Sequence, residues 1–429
     1  MKVKICNLGV IKEAEIELRP LTVFIGPNNT GKSWLAYTLA AVLGSYGWER
    51  YLSAYIADDG PEAYPPLEEA IKQVIAEGNA RIDLVQFARD YGVTCINRVA
   101  ALAHTWLPQF LGTQYAHLEH VQMQLELDRV WKRFLQQIMG MKVEGSLGVG
   151  EQRGEGFLRC LKERDDPAVF FYTVAGLNPL DKIPAQVVRD FLVSSTLPIL
   201  REALFTGIRI FPTERPTYVS LPVYRSHPDG DGVGRLEQGT PLSEPVNSLL
   251  WLMLEARNSD LLVRRETAKN MPAIKQYIDL SELLQREILA GVLDFSEPDL
   301  TGWRRLIFAL DRGNVLDMPV VSSMVKELAP LVIYLRYLAE PNELLVIDEP
   351  EMNLHPEAQA RMMEFLVMLV NAGLPVLVTT HSPYFVDHLV NLMKAAEHAD
   401  QEAIREKFLL GRSEAFIPKE QVSVYLFEK

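Results

Sequence analysis

LTVFIGPNNTGKSWLAYTLAAVL, residues 21–43, decides the fold. Leu21–Ile25 is a compact apolar run of strand length, a Gly/Asn-rich turn follows, and Lys32 to about Leu43 reads as a helix. The turn, Gly26–Ser33, matches the phosphate-binding pattern GxxxxGK[ST] in full, between the strand and helix that the pattern requires. Gly26 and Gly31 permit the backbone angles and close approach by which loop N–H groups surround phosphate oxygens. The helix that follows directs its positive end at the same anion. Lys32 has the reach for the β- and γ-phosphates of ATP, and the Ser33 hydroxyl can ligate Mg²⁺. Expected nucleotide contacts are therefore Gly26, Pro27, Asn28, Asn29, Thr30, Gly31, Lys32, Ser33 and Trp34, with Lys32 also placed among the catalytic groups.

Some three hundred residues later, LLVIDEPEMNLHPEAQ sets Asp348 and Glu349 at the end of the apolar run Leu344–Ile347. In an open α/β sheet, ligands sit outside the carboxyl ends of the strands, so this pair is expected to face the phosphate loop. Asp348 suits the Mg²⁺ shell, and Glu349 suits a general base that polarises an attacking water. Read alone, the pair also fits a solvated or helix-capping turn. A second apolar run, Val376–Thr379, ends in Thr380, His381 and Ser382. A lone His at a strand end is often structural, but its position after the acidic pair puts His381 among the expected catalytic groups, contacting the γ-phosphate and reporting its presence.

The order phosphate loop, paired serines, DEP and TTHS resembles ABC-type ATPases, on the SMC/RecF/OLD-like branch rather than the transporters. NLGVIKEAEIELRPLTVFIGPNNTGKS, DEPEMNLHPEAQ, TTHSPYF and VSVYLFEK are similar to segments of OLD-type and related AAA-family ATPases, over roughly residues 1–45, 206–220 and 288–429. The resemblance implies that Ser322–Ser323 of VVSSMVKEL is the signature that meets the nucleotide of an opposing subunit. This chain has Met324 where the family often has Gly, and a plain serine N-cap accounts for the same residues. PTERP, Pro212–Pro216, resembles a segment ahead of the family's arm. There Glu214 stands as a water- and metal-sensing residue and Arg215 as a contact to phosphate or a neighbouring subunit, with a surface salt-bridge turn as the alternative. His355 stands in the LHP of OLD-type relatives, either communicating between subunits or starting the next helix.

The implied fold class is α/β: an ABC-type P-loop NTPase domain split in sequence, with a large, mostly helical insertion. Apolar spacing near three and four marks Leu67–Ala76, Ile82–Tyr91, Asn97–Leu107, His117–Met139 and Ala185–Leu204 as helices. The expected divisions are 1–50 (start of the ATPase domain), 51–205 (helical insertion), 206–234 (its continuation), 235–287 (a helical arm or lid) and 288–429 (the C-terminal part). Gly145–Gly156 and Arg225–Gly239 read as Gly-rich loops, and no heptad run long enough for an extended coiled coil is present.

With 48% hydrophobic and 23% charged residues over 429, the chain can bury a large core. A net charge of −13 argues against a surface that coats nucleic acid, though a local basic groove remains compatible. Cys6, Cys95 and Cys160 are widely spaced, without a CxxC pair, which fits a reducing compartment and neither a disulfide frame nor a zinc site. No uncharged apolar run approaches the roughly 20 residues of a membrane span, and no signal core opens the chain, so the expected location is the cytoplasm, without membrane contact.

The resemblance implies a Mg-dependent ATPase that forms a head-to-head homodimer, or higher homo-oligomer, on ATP. Its cycle would control a separately encoded effector in prokaryotic anti-phage defence. The chain leaves no room for a Toprim nuclease domain after TTHS, so an intrinsic nuclease is not expected. A DNA-binding repair ATPase of SMC/RecF type and a nucleotide-gated scaffold with little turnover are the alternatives.

Overall fold

The computed structural model describes residues 1–57, 63–148, 157–174, 184–220, 242–257, 265–298, 300, 304–310 and 313–428. At its centre lies a five-stranded parallel sheet in the order Val422–Leu426, Leu21–Ile25, Val376–Thr380, Leu344–Asp348, Ile208–Phe211. The two strands Leu344–Asp348 and Val376–Thr380 are buried at every position, as continuous apolar runs must be when both sheet faces are covered. Alternate side chains feed two cores. Phe24, Val346 and Leu377 join the core that holds the helix Lys32–Leu43 and the inserted region. Val23, Leu345, Ile347 and Val378 join a second core with the helices Ser323–Tyr337 and Pro356–Asn371. The helix Lys32–Leu43 buries Leu35, Ala36, Leu39, Ala40, Val42 and Leu43, so it is apolar nearly all round because it runs through packed protein.

At the start of the chain, Lys2–Leu8 and Ile11–Glu17 form an antiparallel hairpin whose turn is Gly9–Val10. Gly9 has φ +56°, and a Cβ on it would lie 2.5 Å from the Trp34 ring, so the hairpin tip seats on the residue after the phosphate loop. The third strand of this sheet is Gln122–Glu126, from the inserted region. The expected helix His117–Met139 is thus corrected to a strand followed by the helix Trp131–Gly140. Its residues explain why: Val121, Met123, Leu125 and Leu127 are buried while their neighbours are not, a period of two rather than 3.6.

In the inserted region the expected helices Leu67–Ala76 and Ala185–Leu204 stand as Pro65–Glu77 and Ala185–Leu204, whereas Ile82–Tyr91 and Asn97–Leu107 are corrected to Leu84–Ala101, continuous through residues 92–96, and Ala103–Phe110. The region also builds a four-stranded antiparallel sheet from Asn79–Asp83, Ala168–Thr173, Leu158–Lys162 and Val143–Leu147. Ile82, expected in a helix, belongs to the first of these strands. Gly145–Leu147, expected in a loop, belongs to the last, where Gly145 faces Cys160; residues 149–156 lie outside the described ones, as does Arg225–Gly239. Beyond Glu244–Glu255 and Pro272–Leu284, the strands Gly291–Phe295, Leu306–Leu310 and Val315–Asp317 form a small antiparallel sheet. Among the described residues no helix is long and apolar enough to cross a membrane.

Candidate functional site

The phosphate loop leaves the sheet at Gly26, whose N–H donates to the Thr380 carbonyl at 3.3 Å. A Cβ at Gly26 would lie 2.2 Å from the Phe427 carbonyl oxygen, so the last strand of the chain closes the loop from one side and only glycine fits. Asn29 and Gly31 take φ of +64° and +90°, curling the backbone before helix Lys32–Leu43 begins. The Thr30 hydroxyl donates to the Pro27 carbonyl at 2.9 Å and pins the curl. The Lys32 ammonium donates to the carbonyls of Gly26 (2.8 Å) and Pro27 (2.7 Å), which holds a buried cation across the loop mouth. Burial lowers its pKa, against the opposing pull of Glu349, Asp348 and Glu351. A desolvated cation facing three carboxylates is suited to an anionic ligand bearing a metal ion.

Asp348 comes from the neighbouring buried strand. The Ser33 hydroxyl donates to its Oδ1 at 2.8 Å, a contact across 315 residues of chain. The Tyr37 hydroxyl donates to Oδ2 at 2.8 Å, and the Thr379 hydroxyl also donates to Oδ1. The Ser33 hydroxyl and the Asp348 carboxylate are neighbouring hard oxygen donors, the two groups that would hold Mg²⁺ here. Glu349 then leaves the strand with φ +48°, a left-handed turn held by its N–H donating to the Thr379 carbonyl at 3.1 Å and hydroxyl at 3.2 Å. For a non-glycine residue that conformation costs about 1–2 kcal/mol. Burial raises the Glu349 pKa above the usual 4.5; His381 opposes the shift, and Asp348 and Glu351 add to it.

His381 is half exposed, with Nδ1 at 3.5 Å from Glu349 Oε1 and 3.6 Å from Glu351 Oε1. Glu351 is almost fully buried, accepting from the Thr380 hydroxyl at 2.5 Å and the His381 N–H at 3.0 Å. Gly9, Val10, Asn28–Trp34, Thr213, Asp348, Glu349 and Met352 bound one cleft of about 660 Å³, a volume in the range of small-molecule sites. The phosphate loop, the acidic pair and the hairpin tip thus converge on one space.

The remaining sequence expectations divide. Ser322 caps the helix Ser323–Tyr337, its hydroxyl accepting from the Val325 N–H at 3.4 Å, and both Ser322 and Ser323 are exposed. Glu214 is exposed beside Thr213. The surface salt-bridge turn expected at Arg215 is corrected: Arg215 is buried, and its ion pair is with buried Glu327. Its guanidinium also donates to the carbonyls of Phe211 and Asp348 at 2.7 Å, so it braces the backbone of the acidic pair from behind. His355 occupies the N-cap of Pro356–Asn371 with an exposed side chain that makes no cap hydrogen bond.

Sequence reasoning passed over Tyr37, Thr379 and Glu351. Tyr37 was within reach, because it lies four residues after Ser33 and so on the same helix face. Thr379 carried a weaker signal, a polar residue ending an apolar run. Glu351 stands in a turn whose course no periodicity gives.

Comparison with known proteins fits this geometry. Residues 208–387 match the family model described as "AAA domain, putative AbiEii toxin, Type IV TA system", and residues 1–75 match "AAA ATPase domain". No curated protein matches the chain. Similar solved structures include an SMC head bound to the C-winged helix domain of ScpA (12% identity, TM-score 0.38, 90% of this chain and 91% of that one). Others are an SMC head with extended coiled coil from Pyrococcus furiosus, bound to the C-terminal domain of ScpA (10%, 0.35, 90% of each), and an SMC head from Thermotoga maritima (12%, 0.30, 90% of each). The two sequence matches, both to AAA ATPase domain models, lie at the two ends of the chain that fold together and support a P-loop ATPase.

Proposed function

We propose that this chain binds Mg-ATP in the cleft between Gly26–Ser33 and Asp348–Glu349, hydrolyses it, and uses the cycle to close and open a head-to-head dimer. The observation that carries the reading is the Ser33–Asp348 contact, since it brings a phosphate-loop hydroxyl and a strand-end carboxylate to metal-sharing distance. The loop N–H groups and the Lys32 ammonium bind the triphosphate, Lys32 exchanging loop carbonyls for phosphate oxygens. Ser33 and Asp348 hold Mg²⁺, which supplies charge neutralisation at the phosphates. Glu349 accepts the proton of the attacking water, and its raised pKa makes it a better base than an ordinary glutamate. His381, within ion-pair distance of Glu349, senses whether the γ-phosphate is present and conveys that along the strand Val376–Thr380.

Exposed Ser322–Ser323, at the start of a fifteen-residue helix, completes the phosphate contacts of a second copy. ATP then bridges two chains, and hydrolysis removes the bridge. The inserted region 51–205 and the segment 235–287 transmit this to a separately encoded effector in prokaryotic defence. The family description that covers 208–387, naming a putative toxin of a Type IV TA system, supports a partner-linked role. The test is phosphate release and solution mass with Mg-ATP, for the wild type and Glu349→Gln. A stable ATP-dependent dimer in the variant, with turnover only in the wild type, is the expected result. Absence of Mg-nucleotide uptake by calorimetry would remove the proposal.

A further inference from the structure

The opposite end of the parallel sheet holds a second cavity, of about 260 Å³, where the strands at Leu21, Leu344 and Val376 begin. Its floor is apolar: Leu18, Leu344 and Leu377 from the ATPase side, Phe134 and Leu204 from the inserted region. Its rim carries three guanidinium groups, those of Arg19, Arg129 and Arg133. One carboxylate, Glu17, serves the first two. Its Oε2 accepts from Arg19 Nε (3.2 Å) and Nη2 (3.0 Å), and its Oε1 lies 2.5 Å from Arg129 Nη1. Arg133 has no such partner. Among the described residues it donates to the neutral amide oxygen of Asn342, and no carboxylate pairs with it.

An apolar hollow offers water too few hydrogen-bond partners to fill it well, and a guanidinium at its edge without a carboxylate leaves donors for an anion. We propose that this cavity binds a small amphipathic carboxylate, its tail on Leu204, Phe134 and Leu377 and its head group on Arg133. The acid links the inserted helix Trp131–Gly140, which carries Arg133, to the strand starts of the ATPase sheet. The site is separate from the nucleotide cleft, because the two lie at opposite ends of the same strands.

The probes are straight-chain alkanoates from butyrate to decanoate, titrated into the full chain by calorimetry, with octanol and octylamine as controls. Each added methylene should tighten binding about fourfold until the hollow is full. Octanoate should bind with or without saturating Mg-ATP, and octanol and octylamine should bind about tenfold more weakly or worse. Arg133→Gln should weaken octanoate about tenfold while leaving the melting temperature of the free protein in place, and Arg133→Lys should recover most of the loss. Three results overturn the assignment: no alkanoate binds the wild type, Arg133→Gln binds octanoate as tightly as the wild type, or Mg-ATP displaces it.

Discussion

The two ends of the parallel sheet differ in how their charged groups are satisfied. At the carboxyl ends, Asp348 is held on both oxygens by the hydroxyls of Ser33, Tyr37 and Thr379, and Lys32 is matched by loop carbonyls. At the amino ends, Arg19 and Arg129 share Glu17 while Arg133 pairs with no carboxylate among the described residues, all three above an apolar floor. The first arrangement fixes a carboxylate and a cation by hydrogen bonds. The second leaves a cation over a hollow. The strand direction is the underlying cause, since carboxyl ends open into the loops that converge on a ligand.

If chemistry is confined to the carboxyl ends, the largest effect belongs to Glu349→Gln. Phosphate-release assays should show turnover reduced about 10²–10⁴-fold with nucleotide binding kept. The same residue fixes the pH dependence. A base must be ionised, so turnover should fall as pH drops through a value above 4.5, the direction of its shift. A folded-state pKa above the unfolded one means that folding favours the protonated carboxyl. That contribution is present at low pH and is lost as pH rises through the folded value, so the Gln variant should melt at or slightly above the wild type at pH 7. An acid limb at or below 4.5 in kcat-pH profiles would contradict the environment described for Glu349.

The brace behind the site comes next. Arg215→Met leaves Glu327 as a buried, uncompensated charge and should cost about 3–5 kcal/mol in denaturant unfolding. Arg215→Met with Glu327→Met should restore most of that, and a double variant as unstable as the single would show that the carbonyl contacts, not the pair, dominate. Tyr37→Phe removes one hydrogen bond to Asp348 and should weaken the Mg²⁺ dependence of turnover about fivefold, roughly 1 kcal/mol. An unchanged Mg²⁺ titration would mean that Ser33 and Thr379 suffice to aim the carboxylate. The smallest effect is His355→Ala, within about 0.5 kcal/mol in stability, because the side chain is exposed and bonds nothing in the cap.

Much of the carboxyl end of the sheet was legible because its signals are local. Gly26–Ser33 needs particular residues at fixed spacing, and the runs Leu344–Ile347 and Val376–Thr379 read as buried strands that the structure extends by one residue each. Arg215 shows the limit: its number in the chain gives no hint that Glu327, 112 residues away, neutralises it inside the core. The inserted region was harder. Val121 to Leu127 alternates with a period of two, but the segment is short and runs into the helical stretch Trp131–Gly140, so one helix was expected where a strand and a helix stand. Its pairing partner, Lys2–Leu8, lies more than a hundred residues away and leaves no trace in the local pattern.

By itself, then, the amino-acid sequence determined the phosphate loop, the acidic strand end and the α/β class, because steric needs of backbone and phosphate act over a few residues. Tertiary structure alone decided that Tyr37, Thr379 and Glu351 join the site, that Arg215 is buried, and that an arginine-rimmed hollow lies at the far end of the sheet. Those outcomes depend on which distant segments share a neighbourhood once both sheet faces are covered, and packing settles that only when the whole chain has folded.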